Sequence, residues 1–182
     1  MRFYVSLLSL TVIFLAACHK QDNAAYGFAI KQVVITPAYQ SLNIYLQQEL
    51  QFSGEAREAL EHGVVLSVKL QLELHSESHL MVVLKEDRSF QLRYLPLSER
   101  YQLSADDREM QVFSRLRHLL AAIGNENIKL STGPLLPGNY ELRTRVSLDE
   151  TRLPTPMQLP AWFSPEWHHD SEWSVWPFEI SA

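Results

Sequence analysis

The segment Val64-Val65-Leu66-Ser67-Val68-Lys69-Leu70-Gln71-Leu72-Glu73-Leu74-His75 decides the fold class of this chain. Apolar side chains occupy every second position from Leu66 to Leu74, and polar side chains occupy the positions between them. Because successive side chains of a strand point to opposite faces of a sheet, this alternation predicts a β-strand with one face on a core and one in water. Such half-buried strands are typical of antiparallel sheets.

Other segments carry strand signals, most of them with the same alternation: 28–36, 42–46, 80–85 continuing as 89–94, 139–148 and 172–180. Two short helices are predicted between them. The first covers Glu55–His62, with Ser53 as its cap and Gly63 at its end, and the second runs from about Phe113 to Ile123. We therefore expect a mainly β fold, an antiparallel β-sandwich that is immunoglobulin-like in general architecture, with two connecting helices.

The N-terminus carries the most specific signal in the chain. Met1-Arg2 is followed by an apolar run of about 13 residues, which is too short for the ~20 residues of a membrane-spanning helix. The run ends in Leu15-Ala16-Ala17-Cys18, which resembles a bacterial lipoprotein signal peptide. By this resemblance residues 1–17 are removed, and Cys18 is acylated on its sulfur and on its new amino group. An ordinary secretory signal followed by an unmodified cysteine is the alternative.

These signals divide the chain into a signal peptide at 1–17, a lipidated tether at 18–27 and a single β-sandwich domain at 28–182. Cleavage would leave 165 residues and remove Arg2, so the formal net charge would change from −5 to −6. His19, and not an aspartate, follows the cysteine, so the sequence does not resemble the inner-membrane retention signal. We expect a periplasm-facing protein that its lipid attaches to a membrane, with the outer membrane favoured over the inner membrane.

Composition excludes several classes of function. Sixteen Lys and Arg against 21 Asp and Glu argue against a nucleic-acid partner, because polyanion binding needs clustered cations. A single cysteine excludes a disulfide framework and a cysteine-based zinc site. The chain has no Gly-x-Ser-x-Gly turn and no glycine-rich phosphate loop, so we predict no catalytic residues and no cofactor, and a non-enzymatic role is favoured.

Several arginines are placed by the alternation where they could line one outward sheet face: Arg93, Arg100, Arg143, Arg145 and Arg152. The structural interpretation is ion pairing with acidic residues of neighbouring strands, namely Glu73, Glu99 or Glu141. The functional interpretation is a shallow site for an anionic ligand or an acidic peptide, with Arg93, Arg143 and Arg145 as its candidate residues.

The last third of the chain changes in composition. Seven of the nine prolines lie after residue 133, which predicts an irregular, extended crossover over Leu153–Trp167. All four tryptophans fall in or just after this segment, at Trp162, Trp167, Trp173 and Trp176. They are interpreted either as buried aromatic packing or, for Trp162, Trp167 and Trp173, as exposed anchors for a partner.

Histidines offer weak metal candidates. The best is Glu166-Trp167-His168-His169-Asp170, but adjacent strand residues point to opposite faces, so His168 and His169 cannot both bind one ion without a turn. A polar surface loop is the favoured interpretation there. His75 and His79 flank a predicted turn, where a loop is again favoured, and no metal site is predicted.

A family resemblance rests on several short motifs taken together: 92–103 (LRYLPLSERYQL), 113–116, 137–140, 143–149 (RTRVSLD), 153–154 and 171–176 (SEWSVW). In combination they resemble an uncharacterised proteobacterial exported family, the domain of unknown function number 4390, over most of residues 28–180. The resemblance implies export and a link to envelope sensing, because genes of this family often neighbour a two-component sensor kinase. It implies no catalytic residues.

Three functions remain open from the sequence. The leading hypothesis is a lipid-anchored periplasmic β-sandwich that binds a protein or peptide partner in envelope signalling. The second is a small-ligand-binding protein or envelope enzyme that uses the arginine-lined face. The third is a structural or assembly lipoprotein of the outer membrane.

Overall fold

Two antiparallel sheets make up most of the fold. The computed structural model describes residues 26–77, 81–106 and 108–181. Within them the strands are β1 Gly27–Ala38, β2 Ser41–Gln51, β3 Leu66–Ser76, β4 Met81–Leu95, β5 Arg100–Ala105, β6 Arg108–Phe113, β7 Asn125–Ser131, β8 Gly138–Leu148 and β9 Ser174–Ile180. The first sheet has the strand order β1-β2-β7 and the second has the order β6-β5-β4-β3-β8-β9. The predicted fold class, mainly β with antiparallel sheets in a sandwich-like arrangement, is confirmed.

The core lies between the two sheets. On β3 the inward positions from Leu66 to Leu74 are at most 1% exposed, as the alternation predicts. On β2 the inward positions Leu42, Ile44 and Leu46 are equally buried, and both sets belong to one apolar cluster. A sheet that buries one apolar face must pack it on another layer, and here that layer is the other sheet.

Three short α-helices connect the strands in the described part of the chain: α1 Gly54–Glu61, α2 Leu116–Ile123 and α3 Thr155–Phe163. The predicted cap of α1 is confirmed, because the Ser53 hydroxyl accepts a hydrogen bond of 3.1 Å from the Ala56 amide. The predicted second helix begins at Leu116 rather than near Phe113, since Phe113 ends β6. No helix in the described ranges is long and apolar enough to cross a bilayer.

The expectation of an extended crossover at Leu153–Trp167 is wrong, and with it the expected number of two helices. This segment forms α3 and a 3₁₀ turn at Pro165–Trp167. Pro156 lies in the first turn of α3, where its missing amide hydrogen has no intrahelical partner to lose and its fixed φ suits a helix. Only Pro160 removes a backbone hydrogen bond within α3. The helix has little more than two turns and packs on the domain through the buried Ala161, so it tolerates the loss of that bond.

Strands β5, β6 and β7 are absent from the sequence-based prediction. On β7 the inward positions are Glu126, Ile128 and Leu130. Because the first of them is acidic, the alternation of apolar and polar residues is too short to predict a strand. Strands β5 and β6 have six residues each, and β6 exposes most of its side chains, so neither carries a strong apolar pattern.

The strands define two ends of the sandwich. At the first, here called the tether end, Gly27 pairs with Gln51, and residues 52–65 lead through α1 into the start of β3. At the other, here called the distal end, lie the turn between β1 and β2, the end of β3 at Ser76 and the start of β4 at Met81. Ten residues of β3 separate the two ends by roughly 33 Å, at about 3.3 Å per residue.

Candidate functional site

Charged side chains cluster at the distal end, on the outer face of the six-stranded sheet, which is the face turned away from the core. Antiparallel register places Glu73 of β3 between Lys85 of β4 and Arg143 of β8, and places His75 opposite Glu141. Residues directly opposite on one face lie close enough for their side chains to interact. The register therefore gathers five titratable side chains from three strands.

Hydrogen bonds join this cluster in two groups. Lys85 Nζ donates to Glu73 Oε1 at 2.6 Å, and His75 Nε2 donates to Glu73 Oε2 at 3.0 Å. Because both carboxylate oxygens accept, the hydrogen bonds from Lys85 and then His75 hold the pKa of Glu73 below its ordinary value. Arg143 donates to Glu141 Oε2 from Nη2 at 2.9 Å and from Nε at 3.3 Å.

An open depression of about 350 Å³ lies beside these groups and is lined by His75, Ser76, Glu77, Glu141 and Arg143. We call it the distal cleft. Arg143 donates both hydrogen bonds to one oxygen of Glu141. The Nη1 amino group of Arg143 therefore has no partner among the described residues. The cleft thus offers cationic donors beside a carboxylate, an arrangement that suits a ligand carrying a negative group with a positive or hydrogen-donating group near it.

Arg145, two residues along β8, has a different environment. Its guanidinium donates to both oxygens of Asp170, and it lies 6.0 Å from the ring of Trp173. Burial raises the pKa of Asp170, but hydrogen bonds from Arg145 and from the Glu172 amide outweigh it and bring that pKa below its ordinary value. Arg145 therefore ties the segment that precedes β9 to β8 through its Nε and Nη2 atoms.

The other candidate arginines lie apart from the distal cleft. Arg93 is exposed on the same outer face, but it lies eight positions after Lys85 on β4, roughly 27 Å along the strand. Arg152 pairs with Asp149 at 3.4 Å and donates to Ser89 Oγ at 3.3 Å. Arg143 is the one predicted arginine that lines the distal cleft, whereas Arg152 lines a separate depression of about 200 Å³ together with Lys69, Asp87 and Asp149.

The chain matches the family model described as Domain of unknown function (DUF4390) over residues 25–177. This protein belongs to the DUF4390 family. The matched range includes every residue that lines the distal cleft, as well as Arg145 and all of α3. No curated protein and no solved structure matches the chain.

The four tryptophans of this DUF4390 domain fall into different environments. Trp167 is buried, and its Nε1 donates to Glu55 Oε2 of α1 at 3.0 Å. Trp176 is half-buried, and its Nε1 donates to Thr144 Oγ1 at 2.9 Å. Trp162 and Trp173 are exposed, so among the three predicted partner anchors these two remain accessible and Trp167 does not.

Trp162 lies on an exposed apolar face of α3. Leu159, Trp162 and Phe163 are 62%, 51% and 84% exposed, while Met157 and Ala161 on the opposite side of the helix pack toward the core. Spacings of three and four residues place the three exposed side chains on one side of a helix. The sequence predicted an extended crossover here, so this apolar helix face was not expected.

The DUF4390 domain also buries a histidine where a polar surface loop was expected, so that expectation is wrong for Trp167 and His169. The His169 side chain is enclosed by the rings of Tyr26, Phe28 and Phe52, with centroids 5.2–5.6 Å away. Its Nε2 accepts a hydrogen bond of 2.9 Å from the Ser53 amide, and burial lowers its pKa.

Its neighbour His168 points the other way, half-exposed and 3.7 Å from Glu150. In the parts of the chain that the structure describes, no three His, Cys, Asp or Glu side chains come together as a possible metal site. Cys18 and His79 lie outside the described residues.

Proposed function

We propose that this protein is a lipid-anchored binding protein of the bacterial cell envelope and that it takes a protein or peptide partner through the distal cleft. The anchor follows from the Leu15-Ala16-Ala17-Cys18 pattern and would attach the chain to a membrane beside the tether end. The observation that carries the binding role is the cleft of about 350 Å³ in which Arg143 keeps an open amino group beside Glu141.

The position of the distal cleft supports this role. It lies at the end of β3 that is roughly 33 Å from the tether end, so an anchored domain would present it away from the bilayer. Val82, opposite His75 on β4, is 40% exposed and adds an apolar rim to the charged cleft. A polar cleft with an apolar rim suits a peptide segment with an acidic side chain, whose carboxylate would meet Arg143.

A photo-crosslinking amino acid at Val82, in the full-length protein in cells, tests this proposal. We expect a defined protein adduct in the wild type that is lost in Arg143→Ala. Arg93→Ala is the matched control, because Arg93 is an exposed arginine of the same sheet face outside the cleft. An adduct that Arg143→Ala leaves unchanged, or the lack of any adduct from protein recovered in the membrane fraction, would contradict the proposal.

A small anionic ligand at the same cleft is the second candidate function, because about 350 Å³ lies within the range of small-molecule sites. Thermal unfolding of the purified protein with envelope small-molecule extracts separates the two candidates. A ligand-induced rise in melting temperature that Arg143→Ala removes, without a protein adduct at Val82, would favour the small ligand. If deletion changed outer-membrane permeability and neither assay responded, the structural or assembly role would be favoured.

A further inference from the structure

The apolar face of α3 is an exposed hydrophobic patch on one helix side. Single exposed apolar residues are common on protein surfaces, but three large ones at positions 159, 162 and 163 form a continuous patch. One of them is a tryptophan, whose flat ring with one polar N–H suits the boundary between water and the hydrocarbon of a membrane.

Contacts place this helix at the tether end. Ser164, directly after α3, lies 3.4 Å from the Glu55 carboxylate of α1, and Trp167 donates to the same carboxylate. Two residues further on, the ring of His169 lies 5.4 Å from the ring of Tyr26, the first described residue. The end of α3 and the point where the chain enters β1 are therefore joined through a few packed side chains.

The length of chain before Tyr26 limits its distance from the anchor. Tyr26 lies eight positions after Cys18, and even a fully extended chain of eight residue steps spans at most about 29 Å. A lipid on Cys18 would therefore hold the tether end within roughly one domain diameter of the bilayer. It would also raise the local concentration of the α3 face at the membrane surface, so that a weak contact suffices.

We propose that the α3 face formed by Leu159, Trp162 and Phe163 inserts into the interfacial layer of the membrane that carries the lipid anchor. This inference rests on the lipid anchor of the proposed function. It makes the domain doubly attached, by acyl chains and by one helix face, and it fixes the orientation of the sandwich on the bilayer. The distal cleft then points away from the membrane surface.

A second depression at the tether end is consistent with this orientation. It has a volume of about 340 Å³ and is lined by Tyr26, Phe52, Leu120 and the two arginines Arg57 and Arg117, among others. Arginines beside apolar side chains can meet lipid phosphate groups while the apolar groups contact acyl chains.

Depth-dependent quenching of tryptophan fluorescence tests the insertion. The purified, acylated chain is reconstituted into vesicles of phosphatidylethanolamine and phosphatidylglycerol, with or without bromine-labelled acyl chains. We expect brominated lipid to quench part of the emission of the wild type. Trp162→Phe should lose that quenched part, whereas Trp173→Phe, which removes an exposed tryptophan outside α3, should keep it. The double variant Leu159→Glu/Phe163→Glu should lose the quenching although Trp162 is present.

Flotation of the same vesicles separates the two proposals. Wild-type protein that does not float with the vesicles would overturn the lipid anchor and the insertion together. Protein that floats, but shows equal quenching in the wild type and in Trp162→Phe, would overturn the insertion alone. A photo-crosslinker at Phe163 that captures a protein in cells and no lipid would also overturn it, because the α3 face would then be a protein interface.

Discussion

A buried ion pair joins the two sheets and allows a quantitative test of how the sandwich is held together. Glu126 of β7 is fully buried on the core side of the three-stranded sheet. Arg108 of β6, at the edge of the six-stranded sheet, donates to both of its carboxylate oxygens, at 2.5 and 3.3 Å. The guanidinium carbon also lies 5.6 Å from the ring centre of Phe90.

The structure sets the expected magnitudes. Arg108→Met removes the guanidinium and leaves the Glu126 carboxylate in the core without it, which we expect to cost about 3–5 kcal/mol of unfolding free energy. Glu126→Leu removes the carboxylate from the Arg108 guanidinium, which is 27% exposed and can reach water. We therefore expect a smaller loss of unfolding free energy, about 1–3 kcal/mol. The double variant Arg108→Met/Glu126→Leu replaces the pair by apolar groups, and we expect it to lie within about 1 kcal/mol of the wild type.

Urea unfolding of the wild type, both single variants and the double variant gives the coupling energy directly. Arg93→Met, at an exposed position, is the control and should change the unfolding free energy by less than about 0.5 kcal/mol. If the double variant lost as much stability as the two single variants added together, the two side chains would not act as a pair and this reasoning would be refuted.

Two further predictions concern the core and its pH dependence. Leu70→Asp, at a fully buried position of β3, should cost about 3–5 kcal/mol, whereas Lys69→Asp on the outer face should cost under about 1 kcal/mol; equal losses in urea unfolding would show that the alternation was misread. Burial lowers the pKa of His169, so the unfolded chain takes up a proton at higher pH than the folded one. The contribution of His169 to the free energy of unfolding should be complete above about pH 6.5. Below that pH, the free energy of unfolding should fall by at most about 1.4 kcal/mol per pH unit, until the pH reaches the lower pKa of His169 in the folded state. His169→Gln should flatten this slope and the exposed-site variant His168→Gln should keep it; an unchanged slope in His169→Gln would contradict the assignment.

Sequence periodicity predicted the strands that bury one apolar face and expose one polar face. Strands β3 and β8 alternate along nearly their whole length, and their predicted positions agree with the structure to within about two residues. Where a polar side chain takes a core position, the pattern weakens. Glu126 is such a case, because its burial depends on Arg108, which comes from another sheet.

Proline content misled the prediction for the C-terminal third. Proline disrupts the interior of a long helix because it lacks an amide hydrogen, but α3 has only nine residues and one of its prolines lies in the first turn. Side-chain contacts that are distant in the sequence, such as Trp167 with Glu55, then hold the helix against the sandwich.

The candidate site could be predicted only in part. The spacing of Arg143 and Arg145 correctly places both on one sheet face, but their roles depend on partners that periodicity does not reveal. Arg143 pairs with Glu141 of its own strand beside the distal cleft, whereas both carboxylate oxygens of Asp170, 25 residues along the chain, bind Arg145. The pairing of His75 with Glu141 needed the strand register, which is a property of the folded sheet.

Membrane attachment and the proposed orientation of the domain both depend on where the mature chain begins. Intact mass spectrometry of the protein from its native membrane, followed by sequencing of its N-terminal peptide, tests this most directly. We expect a chain that starts at Cys18 and carries the added mass of a diacylglycerol thioether and an N-acyl group. A chain that keeps residues 1–17, or an N-terminal Cys18 without acyl groups, would contradict the lipid anchor and the orientation derived from it.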